Sequence, residues 1–151
     1  MALIFSPSVR STYAFQQFGN EFNLGTATKI AIYSGPQPTS SEFLANFGTK
    51  YHTAGANMLA EMLASQWIRG NNSWSIITFP AAVNPRLDGQ ATFAVLFPQG
   101  QALTNGSLGT NSLFVIVPVS DTSGDGVIRF TSTNFTTSTA VSIVDGGFSV
   151  L

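Results

Sequence analysis

The chain has 151 residues, no cysteine, six basic and seven acidic side chains, and a formal net charge of −1. This length suits one domain with a sizeable core, and the lack of cysteine excludes disulfides and thiolate metal sites. Charged residues make up 9% of the sequence, against about 25% in an ordinary soluble domain. A weakly charged surface near neutrality favours association between molecules. Composition therefore indicates a protein that is part of a larger assembly. The alternative is a monomer whose surface is rich in Ser, Thr and Asn.

Charge placement argues against a nucleic-acid partner. The six basic residues are scattered singly from Arg10 to Arg129, whereas phosphate binding requires clustered Lys and Arg. The first residues lack the basic region of a signal peptide, and no stretch approaches the roughly 18 apolar residues of a membrane span. We expect a soluble, unsecreted protein without nucleic-acid or membrane partners.

The first predicted elements are a helix and a strand. Ser6 before Pro7 is a typical N-cap with proline at the first helical position, and predicts a short helix near residues 7–18. Residues 29–33 alternate Ile30 and Ile32 with Ala and Tyr, which predicts a half-buried strand. The sequence Ser-Gly-Pro-Gln-Pro over 34–38 then predicts a rigid turn.

A helical insertion is predicted near residues 41–67. Residues 41–47 allow one or two helical turns, and the apolar residues of 58–67 fit a period of 3.6. Ala, Leu, Met and Glu dominate this stretch, so propensity favours helix. Leu59 and Leu63 also alternate with Met58, Ala60 and Met62, which leaves a strand open for 57–67.

The remainder of the chain is rich in Ser, Thr, Val, Ile and Phe, which favour strands. Five strands are predicted, at 73–79, 90–97, 113–119, 127–135 and 139–151, the last with a break at Gly146-Gly147. Turns are expected at Asn84-Pro85, Asp88-Gly89, Asn105-Gly106 and Asp125-Gly126. Short strands at regular spacing predict a mainly β fold, a single-domain antiparallel β-sandwich of jelly-roll-like type over 1–151, with one or two short helices in its N-terminal half.

The most apolar stretch is 112–120, which reads Ser-Leu-Phe-Val-Ile-Val-Pro-Val-Ser. Both faces of such a strand require burial, whereas Pro118 cannot donate a ladder hydrogen bond and so favours a sheet edge or a bulge. An apolar edge strand needs a cover, which another protein chain can supply. The residues predicted to contact that partner are Phe114, Ile116, Pro118 and Val119.

Catalytic and metal-binding patterns are weak. His52 is the only histidine and has no identifiable orienting partner, so a loop histidine is favoured over a catalytic base. Asp121-Thr-Ser-Gly-Asp125-Gly126 partly matches a calcium loop but lacks the closing glutamate, which favours a plain hairpin turn. The GxSxG, P-loop and GxGxxG motifs are missing. We expect neither enzymatic activity nor a cofactor nor a metal.

Trp67 and Trp74 flank a Gly-Asn-Asn-Ser turn. Exposed tryptophans beside asparagine are typical of carbohydrate-binding surfaces, because the indole face stacks on sugar C–H groups. Burial in the core is the commoner fate of tryptophan. A carbohydrate-binding module that recognises a host surface through these two residues is therefore an alternative function.

Residues 32–38, Ile-Tyr-Ser-Gly-Pro-Gln-Pro, resemble the I-Y-S/T-G-x-Q-P motif near the start of many small virion proteins of tailed bacteriophages. Val9-Arg10 resembles their opening, and residues 89–95, 105–110 and 141–150 resemble their closing strands in the same order. This chain looks longer than those proteins around Glu42 to Gly55, and they continue into a strand after a Leu-Leu pair.

The resemblance implies a non-enzymatic structural component of a phage particle. We expect a capsid cement or decoration protein that binds the major capsid protein, is itself a homo-oligomer, and is located in virions assembled in the host cytoplasm. A neck or tail structural protein is the alternative within the particle.

Overall fold

The structure is a computed structural model that describes residues 4–5, 28–69, 73–98, 100–110 and 112–149. The strands in these ranges are β1 (Ile4–Phe5), β2 (Thr28–Tyr33), β3 (Met58–Arg69), β4 (Ser73–Thr78), β5 (Gly89–Gln90), β6 (Phe93–Phe97), β7 (Val115–Asp121), β8 (Ile128–Phe130), β9 (Asn134–Phe135) and β10 (Ile143–Ser149). An α-helix, α1, spans Ser40–Ala45, and a π-helical turn spans Phe47–Tyr51. The helix predicted near residues 7–18 lies outside the described residues.

Eight of these strands form one curled sheet in the order β1-β7-β6-β2-β3-β4-β10-β8, and β5 pairs with β9 in a small second sheet. Strand β8 also pairs with β7, so the far end of the sheet returns to its beginning. The curled sheet thereby encloses an apolar interior, as the facing layers of a sandwich do. The prediction of a single, mainly β domain is confirmed.

The connection between β7 and β8 differs from the predicted hairpin. The two strands pair in parallel, with Val119 opposite Ile128, whereas the other described pairings between strands are antiparallel. Residues 122–127 fold back beside β7, and the Gly126 N–H donates a hydrogen bond to Ser120 Oγ at 2.8 Å. A Cβ on Gly126 would lie 2.5 Å from the Ser120 backbone nitrogen. Close approach of two backbones therefore requires this glycine.

The helix preferred for residues 57–67 is wrong, because residues 58–67 belong to β3. Strand β3 pairs with β2 on one edge and β4 on the other, so the sheet satisfies its backbone groups and outweighs local helix propensity. Met58, Ala60 and Met62 are buried, which agrees with the alternation that left a strand open. Helical structure in the predicted insertion is confined to α1 and the π-helical turn.

Helix α1 begins at a capping-box sequence. Thr39 is its N-cap, and its hydroxyl accepts a hydrogen bond from the Glu42 N–H and donates one to the Glu42 carboxylate. The helix is short, and its contribution to the core is Phe43, which is fully buried. The seven rings of the aromatic cluster around it are Tyr33, Phe43, Phe47, Tyr51, Phe93, Phe97 and Phe114.

Candidate functional site

The residues predicted to contact a partner from β7 lie mainly inside the chain's own core. Phe114 and Ile116 are fully buried, Val119 is 9% exposed, and Pro118 is half-buried. The premise that β7 is an uncovered edge strand is wrong. Strand β6 pairs with one edge of β7, while β1 and β8 pair with the other. The apolar faces of β7 are therefore covered by other segments of the same chain.

Pro118 is accommodated at a junction rather than at a sheet edge. The Val119 N–H donates to the Thr92 carbonyl at 3.1 Å, next to β6. Successive residues of a strand point their N–H groups to opposite edges, so the Pro118 nitrogen faces away from β6. On that edge β1 pairs as far as Ile116 and β8 begins at Val119. Val117 and Pro118 lie between these two partners, and Pro118 is the one whose nitrogen faces that edge, so its missing donor costs no ladder hydrogen bond.

The motif at residues 32–38 is built into the fold. The Tyr33 hydroxyl donates to the Tyr51 carbonyl at 2.8 Å, and its ring stacks on Phe93 with centroids 5.1 Å apart. Burial raises the pKa of Tyr33 well above its usual value. Gly35 has a φ of +88°, and its carbonyl accepts a hydrogen bond from the Thr92 hydroxyl. The described contacts of Tyr33 and Gly35 are made within the chain, and they fix the position of the end of β2.

His52 ends the π-helical turn. Its Nδ1 accepts a hydrogen bond from the Ala54 N–H at 3.3 Å, and its ring lies edge-on to Phe47. Within the described ranges, no Ser, Asp or Glu side chain hydrogen-bonds to the ring. Among the described residues, the ring therefore has no orienting carboxylate.

Asp121 uses its carboxylate to shape the β7–β8 connection. Its Oδ1 accepts hydrogen bonds from the Ser123 hydroxyl at 2.6 Å and the Ser123 N–H at 2.9 Å. These hydrogen bonds from Ser123 lower the pKa of Asp121. Among the residues that the structure describes, no three His, Asp or Glu side chains form a group that could hold a metal ion.

Trp67 and Trp74 lie on neighbouring strands. Trp74 of β4 is the register partner of Arg69, and Trp67 of β3 is the partner of Ile76. The backbones therefore bring the two tryptophans to adjacent strands. Their side chains lie outside the described part of the structure.

Large apolar side chains are exposed on a different part of the molecule from β7. Leu63 is 58% exposed, Phe79 45% and Val144 42%. Leu63 belongs to β3, Phe79 directly follows β4, and Val144 belongs to β10, and these three strands are neighbours in the sheet. We call Leu63, Phe79 and Val144 the apolar wall.

Two surface cavities are lined by described residues. One, of about 290 Å³, lies beside β8, β9 and β10 and is lined by hydroxyl, amide and apolar side chains. The other, of about 310 Å³, is a shallow depression lined by residues that include Val119 and Asp121. Neither of these two cavities brings together a nucleophile, a base and an orienting group.

Comparison with models of known protein families, with curated proteins and with solved structures gives no match for this chain. None of the helices in the described ranges is long and apolar enough to cross a membrane. The fold itself defines a mainly β domain with a curled sheet.

Sequence reasoning missed the apolar wall and the cavity beside β10. The alternation of Leu59 and Leu63 contained part of the signal, because it places both residues on the outer face of a strand. Leu59 is nevertheless buried, since its side chain lies against Gly89 and its carbonyl accepts a hydrogen bond from the Arg86 N–H. Only the neighbouring chain segments distinguish the two leucines.

Proposed function

We propose that this chain is a non-enzymatic structural protein of a tailed-bacteriophage particle, and that it binds the major capsid protein as a cement or decoration protein. The proposal is supported by the resemblance of residues 32–38 and of the closing strands to phage virion proteins. A near-neutral chain with 9% charged residues also suits a protein held among many neighbours.

The observation that carries the proposal is the apolar wall. Single exposed apolar residues are normal on a protein surface, but larger exposed apolar patches mark interaction sites. Leu63 and Val144 lie on β3 and β10, and Phe79 directly follows β4, which lies between those two strands in the sheet. We therefore assign the proposed contact surface to the apolar wall on β3, β10 and the residue after β4. Strand β7 is not assigned to it, because its apolar residues are buried.

A cement protein acts by burying surface on two or more capsid subunits at once, so separating the subunits requires breaking all of these contacts. Specific interfaces bury about 800 Å² on each partner. Repetition over the particle adds avidity, because each bound copy holds the next contact at high effective concentration. A symmetric homo-oligomer of this chain would present several apolar walls together.

The copy number of the chain in purified particles tests the location. Quantitative mass spectrometry against the major capsid protein is expected to give a ratio near that of the capsid subunits. A ratio of a few per hundred capsid subunits would instead support the neck or tail. Absence from purified particles would overturn the proposal.

The substitution Leu63→Asp tests the surface. Burying a leucine contributes about 1.5–3 kcal/mol, so placing a charge there should weaken binding to particles at least about tenfold. The measurement is co-sedimentation of the purified chain with particles that lack it. Thr110→Asp, an exposed change in the β6–β7 loop, is the matched control. Equal binding of both variants would exclude the apolar wall, and unchanged denaturation curves would show that folding is intact.

A further inference from the structure

The cavity of about 290 Å³ beside β8 and β10 has an unusual lining for its size. No charged side chain takes part in it. The lining residues are Phe130, Thr131, Ser132, Asn134, Thr136, Thr139, Ala140, Val141, Ser142 and Val144. Hydroxyl and amide groups thus surround a small apolar part, and the volume lies at the lower end of the range of about 300–1,000 Å³ for small-molecule sites.

A β-bulge lies at Val144, one of the apolar residues of the lining. Ile143 pairs with Phe130 and Asp145 pairs with Arg129, so Val144 is the extra residue on β10. Bulges re-aim a side chain and occur often beside functional sites. Ile143 stays 4% exposed in the core, while Val144 turns outward and is 42% exposed. The bulge therefore presents an aliphatic group at the cavity.

Several hydroxyl and carboxamide groups of the lining have unused hydrogen-bonding capacity. The hydroxyls of Thr131, Thr139 and Ser142 and the carboxamide of Asn134 make no hydrogen bond to any residue in the described ranges. Each hydroxyl can donate one hydrogen bond and accept two, and the carboxamide can do both. These groups are free to bind a ligand that carries both donors and acceptors.

The chain segment that forms one side of the cavity is fixed from outside. The Thr137 N–H donates to Asp88 Oδ1 at 2.8 Å. Val83 and Val141 exchange two backbone hydrogen bonds, at 2.8 and 3.2 Å. Asp88 and Val83, which are distant in sequence, hold this segment at Thr137 and Val141. The segment therefore loses less conformational freedom when a ligand binds.

The charges nearest the cavity are already engaged. Arg129 lies 3.6 Å from Asp145 in an ion pair, and Asp88 accepts the hydrogen bond from Thr137. The described residues that line the cavity include no cation for a phosphate or carboxylate and no carboxylate for a metal ion. The ligand that fits is neutral, rich in hydroxyl groups and partly aliphatic.

We propose that this cavity binds one pyranose unit of a neutral saccharide. Its C–H groups pack on Val144 and Val141, and its hydroxyls exchange hydrogen bonds with Asn134, Thr139 and Ser142. This site is separate from the tryptophan pair that the sequence suggested, and it does not depend on the proposed role in a particle. A single weak site gains avidity when many copies face a polysaccharide.

The test is a titration of the full chain with methyl glycosides of glucose, galactose and N-acetylglucosamine, followed by amide chemical shifts. Saturable shifts confined to residues 130–144 are expected for at least one glycoside. Asn134→Ala and Ser142→Ala should each raise the Kd about tenfold, because each removes hydrogen bonds to the sugar. Thr122→Ala, an exposed threonine outside the cavity, should leave the Kd unchanged.

Several outcomes would overturn the proposal. One is the lack of a saturable shift with any of the three glycosides up to their solubility limits. Another is a set of shifts at Trp67 and Trp74, which would move sugar binding to the tryptophan pair. Equal Kd values for the Asn134 and Ser142 variants and the Thr122 control would also exclude the cavity. The dispersion of the amide spectrum reports whether each variant is folded.

Discussion

The aromatic cluster and the β8–β10 side of the molecule use their side chains in opposite ways. Around Phe43 the rings pack on one another, and the Tyr33 hydroxyl finds its partner on Tyr51. Beside β10, the hydroxyls of Thr131, Thr139 and Ser142 have no partner among the described residues, and Val144 is exposed. The interactions of the aromatic cluster stabilise the fold. The β8–β10 side instead leaves hydrogen-bonding groups and an apolar side chain accessible to other molecules.

The difference shows that apolarity alone does not identify a binding surface. The stretch around Phe114 and Ile116 is the most apolar in the sequence, yet it is the interior of the sheet. Two of the exposed apolar residues stand directly beside buried ones in the sequence, Leu63 after Met62 and Val144 after Ile143. What distinguishes the two regions is whether the chain covers its own side chains, and three experiments test that distinction.

Phe43→Ala is expected to have the largest effect. The Phe43 ring lies 4.8 Å from Tyr51 and 5.1 Å from Phe114 between centroids, so its removal leaves a cavity. We expect a loss of about 3–5 kcal/mol in the free energy of unfolding, measured by urea denaturation. Leu44→Ala in the same helix is the control, and should cost clearly less because Leu44 is only partly buried. Similar losses would mean that the cluster is not the centre of stability.

Gly126→Ala tests the backbone packing that supports the β8–β10 side. Its Cβ would lie 2.5 Å from the Ser120 nitrogen and 2.8 Å from the Val119 carbonyl carbon. Backbone atoms cannot move aside cheaply, so a loss of about 1–3 kcal/mol is expected in the same assay. Gly109→Ala is the control, because a Cβ there meets nothing within 4 Å. Its stability should stay within about 0.5 kcal/mol of the original. Equal stability of the two variants would contradict the close approach.

Tyr33→Phe should have the smallest effect at neutral pH, about 1 kcal/mol, from the lost hydrogen bond to the Tyr51 carbonyl. Burial raises the pKa of Tyr33 above its usual 10.0, and Glu61 and Tyr51 add to this. The folded chain therefore holds this proton more tightly than the unfolded chain does. The associated stability is complete below pH 10 and decreases as pH rises beyond that value.

The measurement for Tyr33→Phe is the free energy of unfolding as a function of pH. Phenylalanine has no proton to lose, so the variant should lose less stability than the original chain above pH 10. Parallel curves for the two proteins would assign the alkaline loss to other groups.

Much of the strand content could be predicted from local patterns. The alternation at residues 29–33 and the apolar runs at 90–97 and 113–119 correspond to β2, β6 and β7. Residues 57–67 could not be decided in this way, because Ala, Leu, Met and Glu favour a helix while the pairing with β2 and β4 requires a strand. Tertiary hydrogen bonding overrode the local preference there.

The candidate sites were less predictable than the fold. Leu63 and Leu59 are the same residue type and alternate alike in the sequence, yet they differ in exposure because the register of β3 against β2 shifts at Leu59, whose side chain lies against Gly89. Val144 is exposed through a bulge that depends on its pairing with β8. The motif at residues 32–38 suggested a phage virion protein from sequence, and that function stays a prediction.

By itself, the sequence determined a mainly β chain with few charges, because alternation, turn residues and composition are local properties. Only the tertiary structure decided that β7 is covered on both edges, that Pro118 lies between two partner strands, and that the exposed apolar residues lie on β3, β4 and β10. The physical reason is that burial depends on which segments meet. Those contacts are set by strand register and by hydrogen bonds between residues that are distant in sequence, such as that of Thr137 with Asp88.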